Sequence, residues 1–395
     1  MRILQIVPSI SLVYGGPSQM VMGLSEALAK AGVEVTILTT DSNGDNGQAP
    51  LDVPLEVPIR QTGYDIYYFR CSPFRRYKFS LSLLKWLSRH HQEYNLAHIH
   101  ALFSPISSAA ATVARSQHLP YILRPLGTLD PADLQKKRHL KQLYAAVLER
   151  SNLAGAAAIH FTSDQEAKVS ERFGVMTRDL VMPLGVQLPQ GTSTDIRAKF
   201  GIPAQRPILL FMSRIDPKKG LDLLIPALET LVAEGQDFQF VLAGGNPQDP
   251  DYEKEIRDRI YHSSLNARTT ITGFITGGEK TNLLSAADLF VLPSYYENFG
   301  IAVAEAMSVG TPVVISDQVH IWHGIQQAEA GWISACEVSA LTDALRLALR
   351  DRQELQRRGI NAQRYAQENF SWAAIAHQMI HEYDRLAKKA GIDRG

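Results

Sequence analysis

Short β-branched apolar runs alternate, from the N-terminus onward, with longer stretches in which apolar residues recur every three or four positions. Runs of the first kind predict strands and stretches of the second kind predict helices. By that pattern strands fall at Ile3–Val7, Val35–Thr39, Ile66–Phe69, Leu96–His100, Tyr121–Leu123, Ala157–Phe161 and Leu180–Met182, with helices near Ser18–Lys30 and Leu81–His91. A turn-rich stretch, PLGVQLPQGTST from Pro183 to Thr194, then interrupts the alternation and reads as a linker. Strands resume at Ile208–Met212, Phe238–Ala243, Thr269–Thr272, Leu289–Leu292 and Val313–Ser316, separated by helices near Leu221–Glu234, Tyr252–Ser263, Glu279–Ala286 and Ile301–Val309. Helices at Leu341–Arg350 and Arg352–Glu368 follow. After Phe370, Ser371 and Trp372 a last helix runs to about Lys388, with no strand left for it to cover.

The predicted fold class is therefore α/β, with two Rossmann-like, doubly wound parallel-sheet domains facing a cleft. Residues 1–190 form the first, 191–370 the second, and 371–395 are expected to pack back on the first. A chain of 395 residues exceeds the size of one ordinary core, which agrees with two domains. Its 40 basic and 40 acidic side chains leave no net charge, so nothing favours nucleic acid as a partner. The apolar run in MRILQIVPSI is too short for a secretion signal, and no stretch approaches the ~18 apolar residues that span a bilayer. The expected location is the cytoplasm. Cys71 and Cys336 stand far apart without metal-ligand spacing, so neither a disulfide framework nor a zinc site is expected.

The most informative segment is PSYYENFGIAVAEAMSVGTPVV. From Ile301 to Val309 it has no polar face, which predicts a helix buried on every side with the carboxylate of Glu305 inside it, in need of a partner. That helix starts after Asn298, Phe299 and Gly300, so unpaired N–H groups point from its mouth beside Glu297, an arrangement suited to phosphate. In doubly wound sheets ligands sit beyond the carboxyl ends of strands, which singles out four further loops. SRIDPKKG brings Arg214 and Lys219 to one helix start, either as a pair that neutralises a diphosphate or as ordinary solvated side chains. Gly244 and Gly245 after the strand Phe238–Ala243 permit close backbone approach. Gly15 and Gly16 precede Pro17 and a helix, as a phosphate or sugar contact or as a plain turn, without the GxGxxG spacing of a dinucleotide site. His98 and His100 share a strand face, with His100 at the carboxyl end, either as core residues or to orient a reacting sugar.

With these residues in view, the chain resembles the retaining, nucleotide-sugar-dependent glycosyltransferases called group one or family four, which have the two-lobed GT-B fold. The resemblance rests on ENFGIAVAE followed by AMSVGTPVV, on SRIDPKKGLDLL and YGGPSQMV, and on RPLGTLDP, FTSDQEA, MPLGV and SDQVHIWHGI. It implies that Arg214 and Lys219 bind the donor diphosphate, Glu305 the ribose and Glu297 the transferred sugar, with His100 beside that sugar. It also implies that Gly16 approaches the donor phosphate, and Gly15, Arg124, Gly244, Asn298, Phe299 and Gly300 complete the candidate substrate-binding residues. Pro17, Ser18 and Leu126 depart from the residues common in the family, which leaves the acceptor open.

The implied reaction moves a hexosyl group from a UDP- or GDP-linked sugar to a hydroxyl of a glycan or lipid-linked acceptor, in polysaccharide or glycolipid assembly. No cofactor and no metal are expected, because two fixed cations stand where a divalent ion would act. A nucleotide-sugar epimerase or a phosphorylase of similar architecture, and a sensor that binds without turnover, are the alternatives. Peripheral contact with an anionic membrane at its inner face is a further option. FRRYKFSLSLLKWLSRHH combines Arg75, Arg76, Lys78, Lys85 and Arg89 with Leu81, Leu84, Trp86 and Leu87, and either lies on lipid or packs on the sheet. A second basic run, with Lys136, Lys137, Arg138 and Lys141, could serve the same surface or an anionic acceptor.

Overall fold

The computed structural model describes residues 1–14, 16–44, 48–71, 77–135, 138–188, 190–247 and 249–392. Gly15, Arg75, Arg76, Lys136 and Lys137 lie outside the described residues. The chain divides into two compact units. One comprises Met1–Gly185 with the chain from Trp372 onward, and the other Val186–Ser371.

The first unit holds strands β1 (Arg2–Ile6), β2 (Glu34–Thr40), β3 (Pro58–Arg60), β4 (Asp65–Phe69), β5 (Leu96–His100), β6 (Tyr121–Arg124), β7 (Ala158–Phe161) and β8 (Asp179–Val181). They form one sheet in the order β3-β4-β2-β1-β5-β6-β7-β8, parallel throughout except where β3 runs against β4. Every residue of β5, β6 and β7 is buried, as strands covered on both faces require. The last helix, Trp372–Ile392, belongs to this unit: Ile375, Met379, Tyr383 and Leu386 join one core with Ile3, Val21, Leu24 and Leu28. Its first residue is keyed into place, since a Cβ on Gly23 would lie 2.5 Å, and one on Gly185 2.3 Å, from the Trp372 ring. Only glycine leaves room for the indole at either position.

The helix Leu81–His90 turns its apolar side inward. Leu83 and Leu87 are fully buried, and Trp86 packs on Tyr67 at 4.9 Å and stacks on His90 at 4.3 Å, so this helix covers the sheet and leaves Leu81 alone of its large apolar residues exposed. A different surface does so. Residues 138–155 form a continuous helical segment on which Leu140, Leu143 and Val147, one helical face, stand 63%, 63% and 66% exposed. The acid of that segment, Glu149, is buried and accepts hydrogen bonds from the Phe103 N–H and the Ser108 hydroxyl.

The second unit holds β9 (Ile208–Met212), β10 (Gln239–Ala243), β11 (Thr269–Gly273), β12 (Leu289–Leu292), β13 (Val313–Ser316) and β14 (Gly331–Ser334) in the order β11-β10-β9-β12-β13-β14, all parallel. The helix Ile301–Ser308 follows β12, and here the expectation of burial on every side is corrected. Val303, Ala304, Ala306 and Met307 are buried, whereas Ile301, Ala302 and Glu305 share a half-buried face. Among the described residues no helix is long and apolar enough to cross a membrane.

Candidate functional site

Three loops at the carboxyl ends of β9, β10 and β12 build the site of the second unit. After β9, the Asp216 side chain accepts from the Lys218 N–H and starts a tight turn, Pro217–Lys219, which sets Lys219 against the following helix. After β10 comes Gly244 at φ 137°, where a Cβ would stand 1.9 Å from the Ser213 carbonyl oxygen. Any side chain there would force the two loops apart. After β12, Glu297 is pinned by its backbone: its N–H donates to Gln318 O at 3.1 Å and its carbonyl accepts from the His320 N–H at 3.0 Å. Gly300, in the left-handed region at φ 79°, then caps the helix Ile301–Ser308.

Arg214, Lys219, Gly244, Glu297, Gly300 and Glu305 all line one pocket of about 310 Å³, together with Phe274, Ile275, Lys280 and the first helical residues Ile301 and Ala302. Backbone N–H groups of a first helical turn have no partner within the helix and favour an anion. Lys219 Nζ donates to Glu297 Oε2. Glu305 finds the partner its position demands in Lys280, whose Nζ donates to Oε1 at 2.6 Å. Arg214 is exposed and makes no ion pair with a described residue. Three cations thus face two carboxylates on this wall, leaving one positive charge over. Two sequence-predicted residues stand off it. Asn298 is half-buried beside the wall, and Phe299 is corrected to a core residue, 3% exposed and edge-on to Phe370 at 5.2 Å. Lys280 was not predicted, because nothing in GGEKTNLLSA marks one lysine of a helix as facing inward.

The first unit gathers a second group of polar residues at the carboxyl ends of its central strands. His100 is wholly buried, its Nε2 2.7 Å from Gln5 Oε1 and its ring stacked on His98 at 4.4 Å. His98 Nδ1 lies 2.7 Å from the Tyr383 hydroxyl, His98 Nε2 3.2 Å from His160 Nδ1, and His160 Nε2 2.8 Å from Met182 O. Gln5 Nε2 closes the set by donating to the Tyr383 hydroxyl at 3.3 Å. Arg124, level with His100 on the neighbouring strand, is 4% exposed. Burial pulls its pKa down to about 10, against the upward pull of Glu166, so it stays charged at neutral pH. Glu166 in FTSDQEA is itself held by the Thr162 N–H and hydroxyl. Burial first, then the charges nearby, Arg124 among them, hold all three histidines below their ordinary pKa, His160 at about 3. Ala101 (φ 68°), Phe103 (φ 57°) and Leu126 (φ 58°) take left-handed backbone just beyond β5 and β6, strain of the kind that collects at functional sites. Gly16 opens the helix Gly16–Lys30.

Comparison with known proteins gives these features a lineage. A family described as glycosyl transferases group 1 matches residues 192–365, and a glycosyl transferase 4-like domain matches residues 15–185. The chain belongs to the group 1, family 4 glycosyltransferases. An alpha-D-kanosaminyltransferase of Streptomyces kanamyceticus is 32% identical over 49% of this chain and 49% of its own length, so the chain spans about half of that relative. A D-inositol 3-phosphate glycosyltransferase of Xylanimonas cellulosilytica is 26% identical over 95% of the chain and 93% of its own length. Among solved structures, HepE of Anabaena in complex with UDP superposes with a TM-score of 0.77 at 20% identity, covering 98% of this chain and 100% of HepE. The fold of this family-four glycosyltransferase is GT-B.

Proposed function

We propose that this protein transfers a hexosyl group from a nucleoside diphosphate sugar to an acceptor hydroxyl, with retention at the anomeric carbon. The observation that carries the reading is the pocket of the second unit, where Arg214, Lys219 and a helix mouth face the space between Glu297 and Glu305. As the donor bond breaks, negative charge grows on the departing diphosphate and positive charge on the sugar. Fixed cations and helix amides stabilise the first, without a metal ion, and the Glu297 carboxylate the second. Glu305, two acceptor oxygens steadied by Lys280, takes the ribose hydroxyls. Relatives named for kanosaminyl transfer and for glycosyl transfer to inositol phosphate, and a structural neighbour holding UDP, support this assignment.

The acceptor is a glycan or a lipid-linked glycan, and the protein works at an anionic lipid surface reached through Leu140, Leu143 and Val147 with Arg138 and Arg150 on the same segment. A panel of UDP- and GDP-sugars, incubated with and without acceptor glycans, tests the reaction. Transfer with retained configuration is expected, and Lys219→Ala should lower kcat/KM by about 10²–10³. Epimerised donor without net transfer, or full activity in Lys219→Ala, overturns the reading.

A further inference from the structure

The buried polar residues of the first unit leave little freedom in where their protons sit. Met182 O can only accept, so His160 Nε2 carries the hydrogen and His160 Nδ1 is a bare acceptor. His98 Nε2 must then donate to it, which leaves His98 Nδ1 to accept from the Tyr383 hydroxyl. That hydroxyl, its own hydrogen committed, accepts from Gln5 Nε2, so Gln5 turns its carbonyl Oε1 to His100 and receives the hydrogen on His100 Nε2. One arrangement satisfies every member. It leaves a lone pair on His100 Nδ1, a buried atom that meets no hydrogen-bond partner among the described residues.

We infer that Tyr383, on the last helix, is a positioning residue for His100. Through Gln5 it fixes His100 as the Nε2–H tautomer, so that Nδ1 accepts a hydrogen bond from a hydroxyl of the transferred sugar. Tyr383 touches no substrate, and the inference rests on the proposed transferase reading together with the place beside the sugar that the family resemblance implies for His100. Arg124 works in the same direction. A permanent cation beside the ring opposes protonation of Nδ1, which would turn the acceptor into a donor. The starting carbonyl, Met182 O, lies just past β8, so the order is set by backbone and cannot be reversed by rotating one side chain.

The test is nitrogen NMR of the histidine-labelled full chain without ligand, with His100 assigned through His100→Gln, and steady-state kinetics of the same samples. The wild type is expected to show His100 neutral with hydrogen on Nε2. Tyr383→Phe, which removes one oxygen from the core, is expected to give a mixture of both tautomers, and kcat is expected to fall about tenfold with donor KM unchanged. Hydrogen on Nδ1 in the wild type, or an unaltered tautomer in Tyr383→Phe, overturns the relay. A shifted tautomer with unchanged kcat overturns the positioning role. Absence of turnover in the wild type with every donor would strike the transferase reading instead, while the spectra would still decide the relay.

Discussion

Glu297 and Lys219 neutralise each other across the pocket, and this gives a charge substitution a definite sign. On the proposed reading, the donor diphosphate competes with the carboxylate for the lysine. Glu297→Gln removes the competitor, so free nucleoside diphosphate should bind several-fold more tightly while turnover falls by about 10²-fold. Calorimetry beside a transfer assay reads both, and weaker nucleotide binding would refute the competition. The residues of this pocket were legible in the sequence wherever a strand end fixes their place: Gly244, Arg214 and Glu297 stand one, two and five residues past strand ends, and Gly300 and Glu305 follow from the helix. Lys280 was not legible, since it stands 25 positions from Glu305 on a helix of ordinary composition. Phe299 was misplaced because an aromatic beside a helix mouth can turn to ligand or to core, and the nearness of Phe370 decides it here.

At the scale of elements, alternation exposed most strands but missed the short β3 and the weakly apolar β14, and it missed the helix Pro105–Ser116, whose buried side is serine and alanine with Ile106 as its one large apolar residue. The two basic segments could not be told apart by composition. What separates them is which face the sheet takes: the helix Leu81–His90 leaves Leu81 as its one exposed large apolar residue, whereas Leu140, Leu143 and Val147 form an outward face with basic neighbours and no exposed acid on residues 138–155. The protein should float with vesicles containing phosphatidylglycerol at low salt and not with phosphatidylcholine alone. Combined Leu140→Gln, Leu143→Gln and Val147→Gln should abolish that. Should the stripe instead seat a second copy, the wild type will sediment as a dimer and the triple variant as a monomer without any lipid effect, which would discard the membrane assignment.

For the molecule as a whole, acid should loosen the first unit in a defined window. His98, His100 and His160 are held neutral when folded, with pKa values below the ~6.5 of an unfolded chain. Between those limits the unfolded state binds more protons, so the stabilisation is complete above pH ~6.5 and is lost as pH falls below it. Each histidine contributes up to about 1.4 kcal/mol per pH unit in that range. Amide exchange in β5 and β7 should accelerate progressively from pH 6.5 to 5 once intrinsic rates are divided out, and flat protection over that range would exclude it. The same unit draws its sheet from one end of the chain and the helix Trp372–Ile392 from the other. A ribosome at ~5–20 residues per second needs about 10–40 s to make the intervening stretch. Throughout that interval the nascent sheet must wait with Gly23 and Gly185 unfilled and Gln5 and His98 without their phenol. Completion of the first unit therefore reports that translation has passed the helix Trp372–Ile392, and a chain released before Trp372 would expose an apolar groove where that helix belongs.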